Sequence, residues 1–456
     1  MKQKKNARYE MDMCSGSILR KMILFAVPLM CSGVLQLLFN AADVIVVGRF
    51  AGDNSLAAVG STTSLIGLLT NLFIGLSVGG NVLTAHYYGA KQAKQLKETV
   101  HTAVMLSIIS GLILTVVGVL GAKAILSLMD TPPEVLDKAV LYLRIYFAGM
   151  TATMVYNFGS AILRAIGDTK RPLYFLLTAG IINIILNLIF VINFKMDVAG
   201  VGLATVISQC ISAFLVVRCL MKEREEIRLD LKSLKMTPDK FRRILQIGLP
   251  AGLQGTLFSL SNVVIQSSIN SFGATIVAGN SAAQNIEGFG YTAMNAFHQA
   301  AISFTSQNLG AKKFDRIDKI LVRALIGVVC VGLGFAGLMF WKGEWFLRLY
   351  SDSAEVIQAG LVRLHIITLT YFIAGMMDVF VGSLRGLGYS VFPMIVSLIG
   401  VCGLRLLWVS TIFKMEAWHS PSGIYYTYPI SWLLTVITLL IGYIVIRRKL
   451  AKRWGV

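Results

Sequence analysis

Acidic side chains stand inside long apolar runs of this chain of 456 residues, and Asp43 is the first of them. It lies in the run FNAADVIVV, with no basic neighbour before Arg49. An ionisable group in such a run is costly, so we expect it to do chemistry, as a proton acceptor or as a ligand of a cation. Asn40 lies about one helical turn away on the same face. The alternative is an interfacial aspartate that caps an external loop.

A pair of amides occurs in a later apolar run. Asn183 and Asn187 are four residues apart, which places both side chains on one face of a helix among Ile, Leu and Phe. Amide oxygens suit hard cations. Hydrogen bonds between helices are the alternative role for such asparagines.

The second half of the chain carries Glu287 and, in the run AGMMDVF, Asp378. We expect either acid to meet a cationic ligand or to pair with a base inside the membrane, for which Arg405 is a candidate by position. Polar, aromatic and methionine side chains in the same runs would suit a cavity that accepts many apolar ligands. The predicted binding residues of this kind are Gln36, Gln254, Gln284, Tyr156, Asn157 and Met294.

The composition decides which elements position these residues. Hydrophobic residues make up 55% of the chain, charged residues only 14%, and the mean hydropathy is +0.70. Soluble proteins carry about 25% charged residues. Inside a bilayer every backbone amide must be satisfied within the protein, and continuous apolar runs favour helices over alternating barrel strands. We therefore predict an all-α polytopic membrane protein.

The net charge of +19 is concentrated in every second connection between these runs. The basic residues are Lys2, Lys4, Lys5, Arg8, Arg20 and Lys21; Lys91, Lys94 and Lys97; Arg164, Lys170 and Arg171; those of residues 218–243; Lys312, Lys313, Arg316 and Lys319; and those of residues 447–453. The intervening connections are poor in basic residues and often acidic, as at Asp53 and Asp130. This bias predicts that both termini are cytoplasmic.

Twelve spans and an internal repeat follow from the same runs. At roughly 20 residues per crossing, the predicted spans are 22–48, 56–86, 100–128, 138–163, 172–194, 198–221, 244–271, 275–307, 322–348, 356–384, 391–413 and 424–446. Landmarks such as Gly89-Ala90-Lys91 and Leu163-Arg164 return 221 residues later as Gly310-Ala311-Lys312 and Leu384-Arg385. With six spans per half, the halves are expected to be parallel repeats.

We therefore predict two pseudo-symmetric six-helix lobes, an N-terminal lobe of residues 1–221 and a C-terminal lobe of residues 241–456. Residues 222–240 form a charged linker, either a surface amphipathic helix or a solvated tether. The internal alignment places Asp378 opposite Asn157.

Several short segments in this order resemble the multidrug and toxic compound extrusion (MATE) family over essentially the whole chain. They are Val27-Pro28, Asp43 with Val47-Gly48-Arg49, Gly89-Ala90-Lys91, residues 163–169, Asn183-x-x-x-Asn187, Gly200-x-Gly202-x-Ala204-Thr205 and Leu384-Arg385-Gly386-x-Gly388. The chain is more similar to the prokaryotic DinF-like branch than to NorM-like proteins. The acids of that second branch have no counterpart near Phe258 or Ala374.

The resemblance implies export of organic cations and amphipathic drugs by alternating access, as an antiporter coupled to protons or sodium. It implies an ion-coupling site of Asp43, Asn183, Asn187 and Thr205, supported by Asn40, where Na⁺ would have oxygen ligands. Some relatives carry an acid at the position of Asn187, so an aspartate pair is absent here. A flippase of a lipid-linked precursor is the alternative function.

Other functional classes lack their residues in this sequence. We find no clustered nucleophile, metal-ligand spacing or phosphate loop that would indicate an enzyme or a pump driven by ATP. Six cysteines without paired spacing indicate neither disulfides nor zinc. No basic face interleaved with aromatics suggests nucleic acid. We expect a monomer in the cell membrane, with no cofactor besides its coupling ion.

Overall fold

The structure is a computed structural model that describes residues 9–129 and 131–455. Lys2, Lys4, Lys5 and Arg8 of the predicted basic N-terminus lie outside the described residues, as does Asp130.

Twelve helical spans follow one another along the described chain, and no strand occurs in it. Spans 1 to 6 are Ile18–Phe50, Asp53–Gly89, Ala93–Leu128, the pair Pro133–Ala148 and Met150–Ala165, Lys170–Asn193, and Asp197–Met221. Spans 7 to 12 are Pro238–Asn270, Ala274–Gly310, Phe314–Arg348, Ala354–Gly386, Val391–Lys414 and Pro421–Arg453. Each predicted span coincides with one of these, with boundaries that differ by at most eight residues, so the predicted helical fold is confirmed.

Within the described residues, nine of these helices are long and apolar enough to cross a membrane. The helix pair of span 4 makes a tenth. Spans 7 and 8 fall short because they are rich in Gln, Asn, Ser and Gly. These two more polar helices are consecutive in the chain and begin its second half.

Span 4 is bent by 46° at a break between its two helices. Gly149 occupies the break and packs against span 6, where a Cβ on this glycine would lie 2.7 Å from Cγ2 of Val206. Because that separation is below contact distance, only glycine allows the bend to approach span 6 this closely.

The internal repeat recurs in the backbone. Three pairs of residues 221 positions apart have positive φ angles of nearly equal size: Gly52 and Gly273 at 86° and 92°, Lys91 and Lys312 at 55° and 55°, and Gly167 and Gly388 at 91° and 90°. Non-glycine residues rarely adopt positive φ. The same uncommon turns therefore connect equivalent spans in the two halves.

Two compact units divide the chain, the first containing Met1–Asp12 with Cys31–Gly252 and the second containing Met13–Met30 with Leu253–Val456. Spans 1 and 7 are each divided, with one part in the first unit and the other part in the second. The two divisions fall close to Pro28 and Pro250, which interrupt the backbone hydrogen bonding of these helices. The predicted lobes are divisions along the sequence and stay a prediction.

The segment between spans 6 and 7 packs within the first unit. Ile227 and Leu229 are buried in one of its apolar clusters. The backbone N–H of Asp230 donates to Nε2 of His101 at 3.2 Å, and that of Thr237 donates to Oγ1 of Thr102 at 3.1 Å. The segment thus packs within the first unit rather than forming a solvated tether. Its only helical turn before Pro238 that the structure describes, Leu231–Ser233, has three residues and is too short for the predicted short amphipathic helix.

Candidate functional site

Four of the five residues predicted to couple an ion form one hydrogen-bonded chain in the first unit. Asn187 Nδ2 donates both to Oδ1 of Asp43 and, at 3.3 Å, to Oδ1 of Asn183. Asn183 Nδ2 donates to Oγ1 of Thr205 at 3.4 Å, and the threonine hydroxyl donates to the carbonyl of Val201 at 3.0 Å. Spans 1, 5 and 6 therefore meet at these side chains.

A glycine on span 5 explains why it presents its amides to span 1. Gly180 is so close to Phe39 that a Cβ would overlap the aromatic ring. Gly180, Asn183 and Asn187 share one face of their helix, and Asp43 lies one turn from Phe39 on span 1. The close approach of glycine to ring thus places both asparagines beside the carboxylate.

Span 6 reaches the same place through a second glycine. A Cβ on Gly202 would lie 3.0 Å from Cγ2 of Ile145 and 3.5 Å from the ring of Tyr142, both on span 4. Thr205 is three residues further along that helix face. The Gly-x-Gly-x-Ala-Thr motif therefore owes its small residues to close packing and its threonine to this polar chain.

The carboxylate of Asp43 has neutral partners. Asn187 is fully buried and Asn183 is 5% exposed. Among the described residues no basic side chain forms an ion pair with Asp43, and the phenols of Tyr142 and Tyr146 are within electrostatic reach of it. Buried Oδ1 of Asn187 accepts no hydrogen bond from the part of the chain that the structure describes. The group thus combines one uncompensated carboxylate with amide and hydroxyl oxygens, a set suited to a proton or a hard cation.

Asn40 lies apart from this chain of hydrogen bonds. Its side chain is exposed on span 1. Its proposed support of the ion site stays a prediction. Among the described residues no three His, Cys, Asp or Glu side chains are grouped to hold a metal ion.

In the second unit, unlike Asp43 in the first, Glu287 has a charged partner. Glu287 forms a buried bidentate ion pair with Arg363, with Nε to Oε1 at 2.9 Å and Nη2 to Oε2 at 2.7 Å. Nη1 of the same arginine donates to Oδ1 of Asn280 at 3.0 Å. The prediction that Arg405 would be the partner of an acid is wrong for Glu287, because Arg363 uses both of its oxygens.

Asp378 lies in a separate polar group of the second unit. Its carboxylate accepts a hydrogen bond from Tyr291, and its backbone carbonyl is 2.6 Å from Nδ1 of His298. Arg385 is within electrostatic reach and donates to Oε1 of Gln254 at 2.8 Å. Arg405 is not the partner of this acid either, and the predicted binding residue Gln254 is held by an arginine.

The remaining predicted binding residues have mixed environments. Gln36 and Gln284 are exposed, whereas Met294 is buried against Gly375. Tyr156 donates to the carbonyl of Pro172 at 3.0 Å and Asn157 Nδ2 to that of Thr153 at 2.9 Å. Their role in binding stays a prediction.

The sequence analysis overlooked Arg363 and its surroundings. This arginine lies within predicted span 356–384, so the rule that selected the intramembrane acids would also have selected it. Arg363 contacts Asn280 and the rings of Tyr425 and Tyr428, so three spans far apart in sequence meet at this side chain. No residue spacing in the sequence predicts these contacts.

The fold and these buried polar groups define a polytopic helical membrane protein with two repeated six-span halves. Comparison with known families then names it. The family model described as MatE matches residues 28–189 and 250–409, and the chain belongs to this family. One matched segment lies in each half of the internal repeat, and the match confirms the resemblance seen in the sequence.

Curated relatives and solved structures agree with that assignment. The chain is 28% identical to the probable multidrug resistance protein YoeA of Bacillus subtilis, over 94% of this chain and 93% of the relative. It is 26% identical to the probable multidrug resistance protein YpnP of the same organism, over 91% and 92%. A structure described as the outward-facing conformation of a multidrug resistance MATE family transporter of the MOP superfamily superimposes with a TM-score of 0.89. The sequence identity is 21%, and the superposition covers 96% of this chain and 98% of the chain in that structure. The DinF-like branch stays a prediction.

Proposed function

We propose that this protein is a cation-coupled antiporter that exports organic cations and amphipathic drugs by alternating access. Its family and the names of its relatives support drug export and do not favour the flippase alternative. The coupling ion, a proton or Na⁺, would bind at Asp43, Asn183, Asn187 and Thr205.

One observation carries the assignment of this coupling site. Asp43 is a carboxylate in a membrane span whose direct partner is an amide, while the buried acid Glu287 is neutralised by Arg363. An uncompensated carboxylate in a low-dielectric site gains much from a proton or a cation, whereas one already paired gains little. Reversible ion binding therefore fits Asp43 better than Glu287.

The geometry also suggests how occupancy would change the helices. A charged Asp43 accepts from Nδ2 of Asn187, as the structure has it. A protonated Asp43 would become a donor, and Oδ1 of Asn187 is a buried acceptor without a hydrogen bond. Satisfying it requires the amide to rotate or span 1 to shift against span 5. Ion uptake would thereby alter span packing and favour release of the drug.

We infer a location in the cell membrane with both termini cytoplasmic. The support is the concentration of basic residues in alternate connections, which is the bias of cytoplasmic loops. We also expect the protein to act as a monomer.

The test is transport of rhodamine 123 into or out of proteoliposomes under separately imposed proton and sodium gradients. Wild type is compared with Asp43→Asn and with Asp53→Asn, a control that removes an exposed acid at the start of span 2. We expect one gradient to drive transport in wild type and in the control, and neither to drive it in Asp43→Asn.

Gradient-driven transport that survives in Asp43→Asn would contradict the coupling site and direct attention to Asp378. Wild-type protein that moves the dye under neither gradient would contradict the antiport function itself.

A further inference from the structure

Two arginines lie buried around one tyrosine ring in the second unit. Arg363 is 3% exposed and Arg405 is 4% exposed. The guanidinium carbon of Arg405 is 4.0 Å from the ring centroid of Tyr428, and that of Arg363 is 5.3 Å from the same ring. Trp432 and Tyr425 add further faces, at 5.7 Å from Arg405 and 5.4 Å from Arg363. We call these five residues the arginine cluster.

The charges of the arginine cluster do not balance. Both oxygens of Glu287 are engaged by Arg363. No carboxylate of the described residues forms an ion pair with Arg405, whose one hydrogen bond runs from Nε to Oγ of Ser431 at 3.2 Å. Two guanidiniums against one carboxylate leave one positive charge in excess.

Ring contacts offset only part of the cost of that charge. A desolvated cation over an aromatic face is stabilised by it, but burying an ion costs more than such a contact returns. A guanidinium also offers five N–H donors, and in Arg405 only Nε is used among the described residues. The four N–H groups on its two Nη atoms are available to an acceptor.

A second, independent feature of the arginine cluster also calls for an acceptor. The hydroxyl of Tyr425, a residue only 1% exposed, is buried and makes no hydrogen bond to any residue that the structure describes. Leaving a buried donor unpaired destabilises the protein. The Tyr425 hydroxyl beside Arg363 and the unused N–H groups of Arg405 are all hydrogen-bond donors. Both features therefore call for the same partner, a negatively charged or strongly accepting oxygen.

We propose that the arginine cluster binds the anionic group of an aromatic organic anion, such as a carboxylate or sulfonate. The oxygens would accept from Nη of Arg405 and from the Tyr425 hydroxyl, and the aromatic part would pack against the neighbouring rings. The inference rests on the proposed export function and widens its substrates from cations and neutral amphiphiles to aromatic anions.

The test uses two dyes that share a xanthene ring system and differ in charge, the anion fluorescein and the cation rhodamine 123. Equilibrium binding of each dye to the full-length protein in lipid nanodiscs is measured by fluorescence polarisation. Wild type is compared with Arg405→Gln, Arg405→Lys and Tyr425→Phe. Arg348→Gln is the matched control, because Arg348 is an exposed arginine of the same unit whose partner Glu344 is also exposed.

We expect Arg405→Gln to weaken fluorescein binding by about tenfold or more and to leave rhodamine binding unchanged, since one charge-assisted contact is lost. Arg405→Lys should fall between wild type and Arg405→Gln. Tyr425→Phe removes only a hydroxyl that has no bond in the structure, so a purely structural role predicts no change in it. A selective loss of fluorescein binding in Tyr425→Phe supports the site even if Arg405→Gln does not fold.

Fluorescein binding that is equal in wild type, Arg405→Lys and Tyr425→Phe would overturn the proposal, as would a parallel loss of both dyes in Tyr425→Phe. The proposed function fails by a different measurement, the absence of gradient-driven rhodamine transport in wild type, and the two failures are therefore distinguishable.

Discussion

At the scale of single residues, the carboxylates of Asp43, Asp378 and Glu287 have three different kinds of partner. Asp43 meets an amide, Asp378 meets a phenol, and Glu287 meets a guanidinium through two parallel hydrogen bonds. The third arrangement is the one that fixes charge, because a bidentate pair is directional and strong. We therefore expect Glu287 to stabilise the second unit, with ion exchange left to the acids that have neutral partners.

Glu287→Gln tests this stabilising role. The variant leaves Arg363 as a buried cation without its counter-ion, and breaking a buried pair in this way costs about 3–5 kcal/mol. We expect a clearly lower melting temperature of the detergent-solubilised protein in a thermal unfolding assay.

The double variant Glu287→Gln with Arg363→Met is the control, because it removes both charges and should recover much of the stability. A double variant less stable than Glu287→Gln alone would show that Arg363 stabilises the unit independently of this acid.

At the scale of elements, glycines set how closely the helices approach. Span 7 meets span 2 through Gly248 and Gly252, and a Cβ on either Gly75 or Gly252 would overlap the facing backbone. Since lipid offers no hydrophobic drive for helices to associate, membrane helices gain from such close backbone packing. This contact holds the first part of span 7 in the first unit.

Gly252→Ala should therefore destabilise the first unit. The added methyl group has no space beside Leu72, and overpacking typically costs about 1–3 kcal/mol. Gly334→Ala in span 9 is the matched control, since a Cβ there meets nothing within 4 Å. Alanine is the better helix former by about 1 kcal/mol, so this control should be neutral or slightly stabilising.

Thermal unfolding of both variants in detergent distinguishes these effects. Equal melting temperatures for Gly252→Ala and wild type would mean that spans 2 and 7 can separate without cost.

At the scale of the whole molecule, the twelve spans and the distribution of charge determine orientation. Basic residues lie in or beside the connections after spans 2, 4, 6 and 8, including the segment between spans 6 and 7. The connection between spans 9 and 10 carries Asp352 instead, and Glu355 follows at the start of span 10. These two connections should lie on opposite sides of the membrane, with the basic one facing the cytoplasm.

Cysteine labelling measures this orientation. Glu225→Cys replaces an exposed residue of the first connection and Glu355→Cys an exposed residue in the first turn of span 10, beside the second connection, in a protein otherwise free of cysteine. We expect a membrane-impermeant maleimide added to intact cells to label position 355 and to spare position 225 until the cells are opened. Labelling of both positions from outside would contradict the count of spans between them.

The sequence by itself determined the elements and their repetition. Apolar runs longer than a bilayer crossing allow only helices, so all twelve spans could be located, with boundaries within eight residues of the observed ones. The uncommon backbone turns at Lys91 and Lys312 follow from the repeated segments that contain them. Local composition was sufficient here because each of these features depends on residues close together in the chain.

Only the tertiary structure determined which polar side chains pair with one another. Asn187 could be placed on a helix face with Asn183, but its bond to Asp43 joins residues 144 positions apart. Arg363, rather than Arg405, pairs with Glu287 because span 10 brings it to span 8, and nothing in the spacing of the sequence distinguishes the two arginines. Which buried charges are compensated depends on contacts between distant spans, and the packing of glycines and rings between those spans sets these contacts.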